Sequence, residues 1–320
     1  MVIEDGMKEQ ATIPPKVYGF IITKPLQLMV VIAIIDQLPI EIEKELLVVN
    51  GFFDAQKIAE RLNIKQDKWR SVTFFCSTSR ALRHCRRQGY DSVLIDSDVG
   101  FRKNTDLIKL KLFSPKTILA VYEEGVGTYR SDLYVGLKKK IMSIFGIGTY
   151  FGGNWLTEKV YLFAPNEYRT IFGKTSSELI GLKYTISELV IKYETAFEDL
   201  FGTNELKSKL VLLREIRSEN CVIYLSNWSI DADIVNSCKK SRSCSIIKPH
   251  PHIKKIPLAL STQFDLVVSP SVPAEILITM ASRVFKEVYV SHHGSSVVRY
   301  INMANVYFKY VDKSQEDYAS

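Results

Sequence analysis

Short apolar runs rich in β-branched residues recur along this chain, each followed by a segment long and amphipathic enough to be a helix. Strands that read as unbroken apolar runs belong to sheets covered on both faces, and helix-length spacers between them make those sheets parallel. The pattern predicts strands over Val17–Ile22, Leu46–Val49, Val72–Cys76, Ser92–Ile95, Thr117–Tyr122 and Val160–Phe163. Helices are expected over Leu26–Gln37, Ala55–Leu62, Ser79–Gln88, Leu107–Phe113 and Ser131–Ile144. A largely helical stretch, Ser176 to Arg217, follows and is interrupted near Phe201-Gly-Thr-Asn. A second series then predicts strands at Val222–Leu225, Ser245–Ile247, Leu266–Val268 and Val288–Val290, with one helix entered at Pro273 and another after Gly294. The 320 residues suffice for two cores. The expected division is one doubly wound α/β domain over residues 1–175 and a helical linker plus a second such domain over 176–320.

A content of 46% hydrophobic and 24% charged residues excludes a disordered chain. The odd set Cys76, Cys85, Cys221, Cys238 and Cys244 has neither a CxxC pair nor zinc-like spacing, so reduced thiols and a cytoplasmic location are expected, with no metal. The segment Met1–Met7 lacks a signal-peptide pattern. The longest apolar run, Leu26 to Ile35, falls well short of the ~20 residues that cross a bilayer.

A net charge of +7 favours anionic partners. The basic clusters at 83–87, Lys138-Lys139-Lys140 and 239–242 read first as solvated helix faces. The second runs into aromatic and glycine-rich sequence up to Phe151, as membrane-surface segments do, which adds peripheral inner-membrane association as an expectation. No helix-turn-helix, RNP-type or zinc spacing supports a nucleic-acid partner. Nothing in the sequence argues against a homodimer.

Two strand ends carry the chemistry. Leu119–Tyr122 delivers Glu123-Glu124-Gly125, with Gly127 next but one, and Ser245–Ile247 delivers Lys248-Pro249-His250-Pro251. Ligands of open α/β sheets collect at carboxyl ends of strands. Two abutting carboxylates there repel and lose solvent, which raises the proton affinity of one of them toward that of a useful base. The two glycines let a backbone approach a ligand closely. Prolines hold the His250 imidazole rigidly, and Lys248 supplies a charge suited to phosphate. A solvated acidic loop and a structural histidine are the plainer alternatives. A competing pair, Asp96 and Asp98, follows the strand Ser92–Ile95 and has the Asp-x-Asp form by which GT-A glycosyltransferases hold a divalent metal under a nucleotide-diphosphate sugar.

In order and spacing these motifs resemble the bacterial sialyltransferases that share an acidic-acidic-Gly motif, a His-Pro motif and a downstream serine motif. Glu123-Glu124-Gly125 through Arg130 is similar to the polysialyltransferases and capsule enzymes, Ile247–Pro251 to their His-Pro segment, and Ser295-Ser296 stands at the serine motif. Ile22-Thr-Lys-Pro-Leu-Gln27 and Tyr161–Glu167 resemble segments of the lipooligosaccharide sialyltransferases of glycosyltransferase family 52, although Lys24 interrupts the usual Thr-Pro. The resemblance implies two Rossmann-like domains facing across a cleft, the GT-B type. It also implies inverting, metal-independent transfer of sialic acid from CMP-sialic acid to a glycan or glycolipid acceptor, with no cofactor. On that reading Glu124, with Glu123 as the close alternative, is the base of the N-terminal, acceptor-side domain. His250 meets the departing phosphate, and Lys248, Pro251, Glu275, Gly294, Ser295 and Ser296 bind CMP in the C-terminal domain. For the serines and Glu275, helix capping and helix-dipole stabilisation are the plainer roles.

Overall fold

The computed structural model describes residues 15–64, 68–230, 235, 243–253 and 262–311. The predicted strand runs form two parallel sheets, each flanked by helices, in a two-domain GT-B-like arrangement. The first sheet contains β1 (Val17–Ile22), β2 (Glu43–Val49), β3 (Ser71–Phe75), β4 (Ser92–Ile95), β5 (Ile118–Tyr122), β6 (Lys159–Leu162) and β7 (Glu178–Gly181), in the order β3-β2-β1-β4-β5-β6-β7. The second contains β8 (Asn220–Leu225), β9 (Cys244–Lys248), β10 (Leu266–Val267), β11 (Glu287–His292) and β12 (Val306–Tyr310), in the order β10-β9-β8-β11-β12. In each sheet the order reverses beside the first strand, at β1/β4 and at β8/β11. At such a switch point neighbouring crossovers leave in opposite directions and open a crevice above the strand ends.

The first-sheet helices are α1 (Pro25–Ile35), α2 (Ala55–Ile64), α3 (Thr78–Gln88), α4 (Phe101–Phe113), α5 (Gly136–Ile144) and α6 (Pro165–Phe172). Then come α7 (Ile186–Lys192), α8 (Glu194–Phe201), α9 (Asn204–Ile216), α10 (Ala274–Val284) and α11 (Val297–Tyr300). Helix α1 is apolar nearly all round and correspondingly buried. It joins Phe20 and Leu46 of the first sheet, Val190, Phe197 and Leu210 of α7–α9, and Ile223, Ile246 and Leu277 of the second half in one continuous apolar core. The helical stretch therefore welds the two sheets together. The other face of the first sheet has its own core, with Ile21, Leu47, Val93 and Leu119 under Leu82 and Leu107.

Several elements depart from the sequence pattern. Edge strand β7 closes the first sheet at Gly181, inside the stretch expected to be helical, because Glu178–Gly181 finds its pairing partner in β6. Helices α6 and strand β12 were not expected, and α5 starts at Gly136 rather than Ser131. Cys238, the basic cluster at 239–242 and Met1–Met7 lie outside the described residues. Cys76, Cys85 and Cys244 are free thiols.

Asp98 sets the course of the long β5–β6 connection. Its buried carboxylate accepts from the backbone N–H of Gly152 (2.9 Å), the N–H of Asn154 (3.0 Å) and the Thr157 hydroxyl (2.7 Å). The Asn154 amide donates in turn to the Asp98 carbonyl and to Asn104 Oδ1. Removing the carboxylate strands three buried donors, so Asp98→Ala is expected to destabilise the fold by about 3 kcal/mol, read as a lower urea midpoint with unchanged slope.

Candidate active site

The carboxyl ends of β1, β4 and β5 meet those of β8, β9 and β11 at a shared cleft, and several contacts between the halves line its seam. The Tyr300 hydroxyl donates to Glu123 Oε1 (2.6 Å). Arg299 forks onto Glu167 and lies 3.4 Å from the Tyr129 ring centroid. The Phe53 N–H donates to the Pro251 carbonyl (3.0 Å). Gly125 faces Ser296 so closely that a Cβ on it would come within 3.2 Å of the serine Cβ. At φ +126° Gly125 also occupies backbone space that disfavours side chains. The acidic-acidic-Gly, His-Pro and serine motifs, far apart in sequence, thus converge on one seam.

The adjacent glutamates have different surroundings. Glu123 is fully buried. Its Oε2 accepts from the Tyr129 hydroxyl (2.5 Å) and the Phe163 N–H (2.8 Å), and its Oε1 faces Tyr300 and, at 3.8 Å, Arg299. Burial pushes its proton affinity up against these hydrogen bonds. Both oxygens are engaged, so Glu123 ties the two halves together.

Glu124 turns the other way and pairs with Lys24 from the β1–α1 turn. Burial raises its pKa, Lys24 opposes the rise, and the Asp96 charge adds to it. Gly127 makes room for this carboxylate, since a Cβ there would lie 2.6 Å from Glu124 Oε1. The Thr-Lys-Pro-Leu-Gln turn has a clear physical basis: Pro25 begins α1, and Gln27 Oε1, fully buried, accepts from the N–H groups of Thr23 (2.5 Å) and Lys24 (3.1 Å). In the sequence Lys24 stands out only as an interruption of Thr-Pro, yet its position at the end of the switch-point strand is the available signal.

His250 is half-buried, and its backbone N–H donates to Ser226 Oγ (3.0 Å). Its Nδ1 accepts from the His252 N–H (3.3 Å), so the neutral ring carries its proton on Nε2. Burial, then the charges of His252, Lys248 and Lys24, lower its pKa to about 4. Lys24 therefore acts electrostatically on both Glu124 and His250. Trp228, 69% exposed, stacks on His250 (5.0 Å between centroids) and His252 (4.6 Å), an aromatic shelf that sequence reasoning missed.

Other expected site residues lie elsewhere. Lys248 is buried and donates to the carbonyls of Pro249 (2.7 Å) and Pro270 (3.2 Å). It braces the His-Pro turn from beneath instead of presenting charge to the cleft, and burial lowers its pKa against the nearby Glu275 charge. Glu275, at the start of α10, is buried too, and burial raises its pKa. The N–H groups of Gly294 and Ser295 both point at His292 Nδ1 (3.2 and 3.3 Å), and Ser295 Oγ accepts from Val297 N–H (3.4 Å). Ser295 thus bonds locally ahead of α11, whose N-cap is Ser296, and Ser296 is the serine that reaches the seam.

The Asp-x-Asp alternative is corrected. Two parallel sheets are not the GT-A architecture, and both Asp98 oxygens are committed to the β5–β6 connection. Asp96 is saturated by Thr23 Oγ1 (2.8 Å), Gln27 Nε2 (3.2 Å) and Lys103 Nζ (3.2 Å). Burial alone would raise its pKa, but Lys103, Thr23 and Lys24 together hold it below the usual carboxylate range.

No family model and no curated protein sequence matches this chain. Among solved structures, Anabaena Alr3699/HepE in complex with UDP and glucose is 10% identical, with 94% of this chain and 87% of that chain covered and a TM-score of 0.47. The UDP-N-acetylglucosamine 2-epimerase of Rickettsia bellii is 12% identical over 86% of this chain and 74% of its own, at 0.49. The wall teichoic acid polymerase TagF is 9% identical over 89% and 66%, at 0.43. At such identities these likenesses concern the course of the backbone and not its chemistry.

His250 generates a pH prediction. Its folded pKa lies near 4, below the 6.5 of a free imidazole, so acidification protonates the unfolded chain first. The stability it contributes is complete above pH 6.5 and is lost as pH falls toward 4. Urea unfolding across this window should show the loss, and His250→Gln should flatten the curve; an imidazole resonance titrating near 6.5 contradicts it.

Proposed function

We propose that this protein is an inverting, metal-independent sialyltransferase that moves sialic acid from CMP-sialic acid to a sugar hydroxyl of a bacterial surface glycan, an O-antigen, capsule or lipooligosaccharide precursor. The observation that carries this reading is the placement of Glu124, Lys24 and His250 on strand ends of two parallel sheets around one cleft. The likeness of the three motifs to those of bacterial sialyltransferases supplies the substrate.

In this reading the half up to residue 175 takes the acceptor and supplies the base, and the half from 176 takes CMP. The ionised Glu124 accepts the proton of the acceptor hydroxyl as its oxygen bonds to the anomeric carbon. The bond from that carbon to the CMP phosphate oxygen breaks, and the electron pair leaves with the phosphate. His250, neutral near pH 7 in the free protein, offers its Nε2–H to that oxygen as charge builds there. Lys24 opposes the rise that burial gives the Glu124 pKa and adds positive potential between base and leaving group. A single phosphate needs less neutralisation than a diphosphate, which suits transfer without a cation. Trp228 and Pro251 border the donor side, with Ser296 and Gly294 at the seam. Lys248 and Glu275 support this side from beneath. The enzyme works in the cytoplasm, in peripheral contact with the inner membrane.

Glu124→Gln and His250→Ala should each slow CMP release from CMP-sialic acid by ~100-fold or more in excess chelator, with the fold intact by circular dichroism. Unimpaired rates in both variants end this assignment. Removing the Lys24 cation raises the Glu124 pKa, so Lys24→Gln should move the acidic limb of the pH–rate profile to higher pH, whereas a purely structural lysine would leave the limb in place.

A further inference from the structure

Helix α5 shows the solvent what helices usually hide. Leu137, Ile141, Ile144 and the following Phe145 recur at the i, i+4, i+7, i+8 spacing of a single helical face, the pattern that ordinarily faces a core. Here they are 73%, 39%, 80% and 65% exposed, and Val135 just before the helix is 71% exposed. Met142, on a neighbouring side of the helix, is buried. Lys138 and Lys140 flank the apolar face, Lys139 lies behind it, and all three are exposed. No carboxylate occurs between residues 133 and 157. Beyond the helix, the Trp155 ring lies over Gly146, where a Cβ would come within 2.8 Å of its Cδ1, and remains 63% exposed.

We infer that this face docks onto an anionic phospholipid bilayer, with Leu137, Ile141, Ile144, Phe145 and Trp155 entering the headgroup and upper acyl region and Lys138–Lys140 pairing with lipid phosphates. An apolar stripe edged by lysines and ended by an exposed indole is what a bilayer surface accommodates, since each residue type meets its preferred depth. A second copy of the chain fits the face poorly. A two-fold contact through the stripe would bring the lysine borders of both copies together with no acid in either segment to offset them. Helix α5 belongs to the connection that begins at the Glu123-Glu124-Gly125 turn, and the loop beyond it is tied down by Asp98 through Gly152 and Asn154, so docking would hold the candidate base close to the membrane surface. The inference deepens the membrane contact proposed above and rests on that part of the reading alone.

Flotation of the full chain with vesicles tests it without any turnover. Binding to phosphatidylcholine vesicles containing about one-quarter phosphatidylglycerol should be strong, should weaken in high salt, and should be nearly absent with phosphatidylcholine alone. Lys138, Lys139 and Lys140 all →Gln should weaken it on the order of 100-fold, as should Leu137, Ile144 and Phe145 all →Gln. Because the substituted side chains are already exposed, circular dichroism should be unchanged. A blue shift of emission on vesicle addition that disappears in Trp155→Phe gives a second readout in an otherwise native chain. Absence of vesicle binding by the folded native chain overturns the inference, as does binding indifferent to both triple variants. A concentration-dependent dimer abolished by the apolar variant, without vesicle binding, overturns it in favour of a second copy. CMP release with a soluble acceptor and no lipid should be unaltered in the α5 variants, so failure of the docking and failure of the sialyltransferase reading are separately visible.

Discussion

The fully buried carboxylate of Glu123 is the interaction on which the cleft depends. It takes hydrogen bonds from Tyr129 and Phe163 of its own half and from Tyr300 of the other, with the Arg299 guanidinium nearby. A carboxylate in such a place is costly unless every acceptor site is used, and here the cost is offset only when both halves are in place. Assembly of the seam is therefore coupled to satisfaction of this one group. The Arg299–Glu167 fork and the close approach of Gly125 to Ser296 fix the register around it.

Beside that latch, the chain alternates its side chains to give neighbouring glutamates opposite tasks. Glu123 enters the seam, and Glu124 enters the cleft against Lys24. Both are desolvated, yet Glu123 is held by three hydrogen bonds with Arg299 nearby, whereas Glu124 is paired with Lys24. Identical chemistry on consecutive residues thus separates into an anchor and a candidate base, and the separation comes entirely from which side of the strand end each one leaves. The same economy appears at the second motif, where Lys248 braces the turn from below and His250 stands above it under the Trp228 shelf.

Much of the fold was legible because apolar periodicity is a local property. The runs at Phe20–Ile22, Val93–Ile95 and Leu119–Tyr122 are fully buried strands, as their composition required. Less was legible where a segment depends on a distant partner. Glu178–Gly181 has no strong strand pattern and becomes β7 only because β6 offers an edge. Asp98 reads as half of a metal motif until the loop carrying Gly152, Asn154 and Thr157 folds over it. Ser295 and Gly294 read as phosphate donors until the His292 ring takes their N–H groups. In each case the missing information is the identity of a partner far away in the chain.

By itself, the sequence determined that the chain forms two helix-covered parallel sheets and that its motifs stand at strand ends, because burial on both faces and the periods of strand and helix are written in local residue order. Only the tertiary structure decided which of those end residues share a cleft. Lys24, Glu124 and His250 come from three turns on two sheets, and their mutual electrostatic influence exists only after the common core of α1, α7–α9 and α10 has set one sheet against the other. Desolvation and charge proximity are properties of the assembled interior, so the proton affinities that separate anchor, candidate base and brace could not be read before that interior existed.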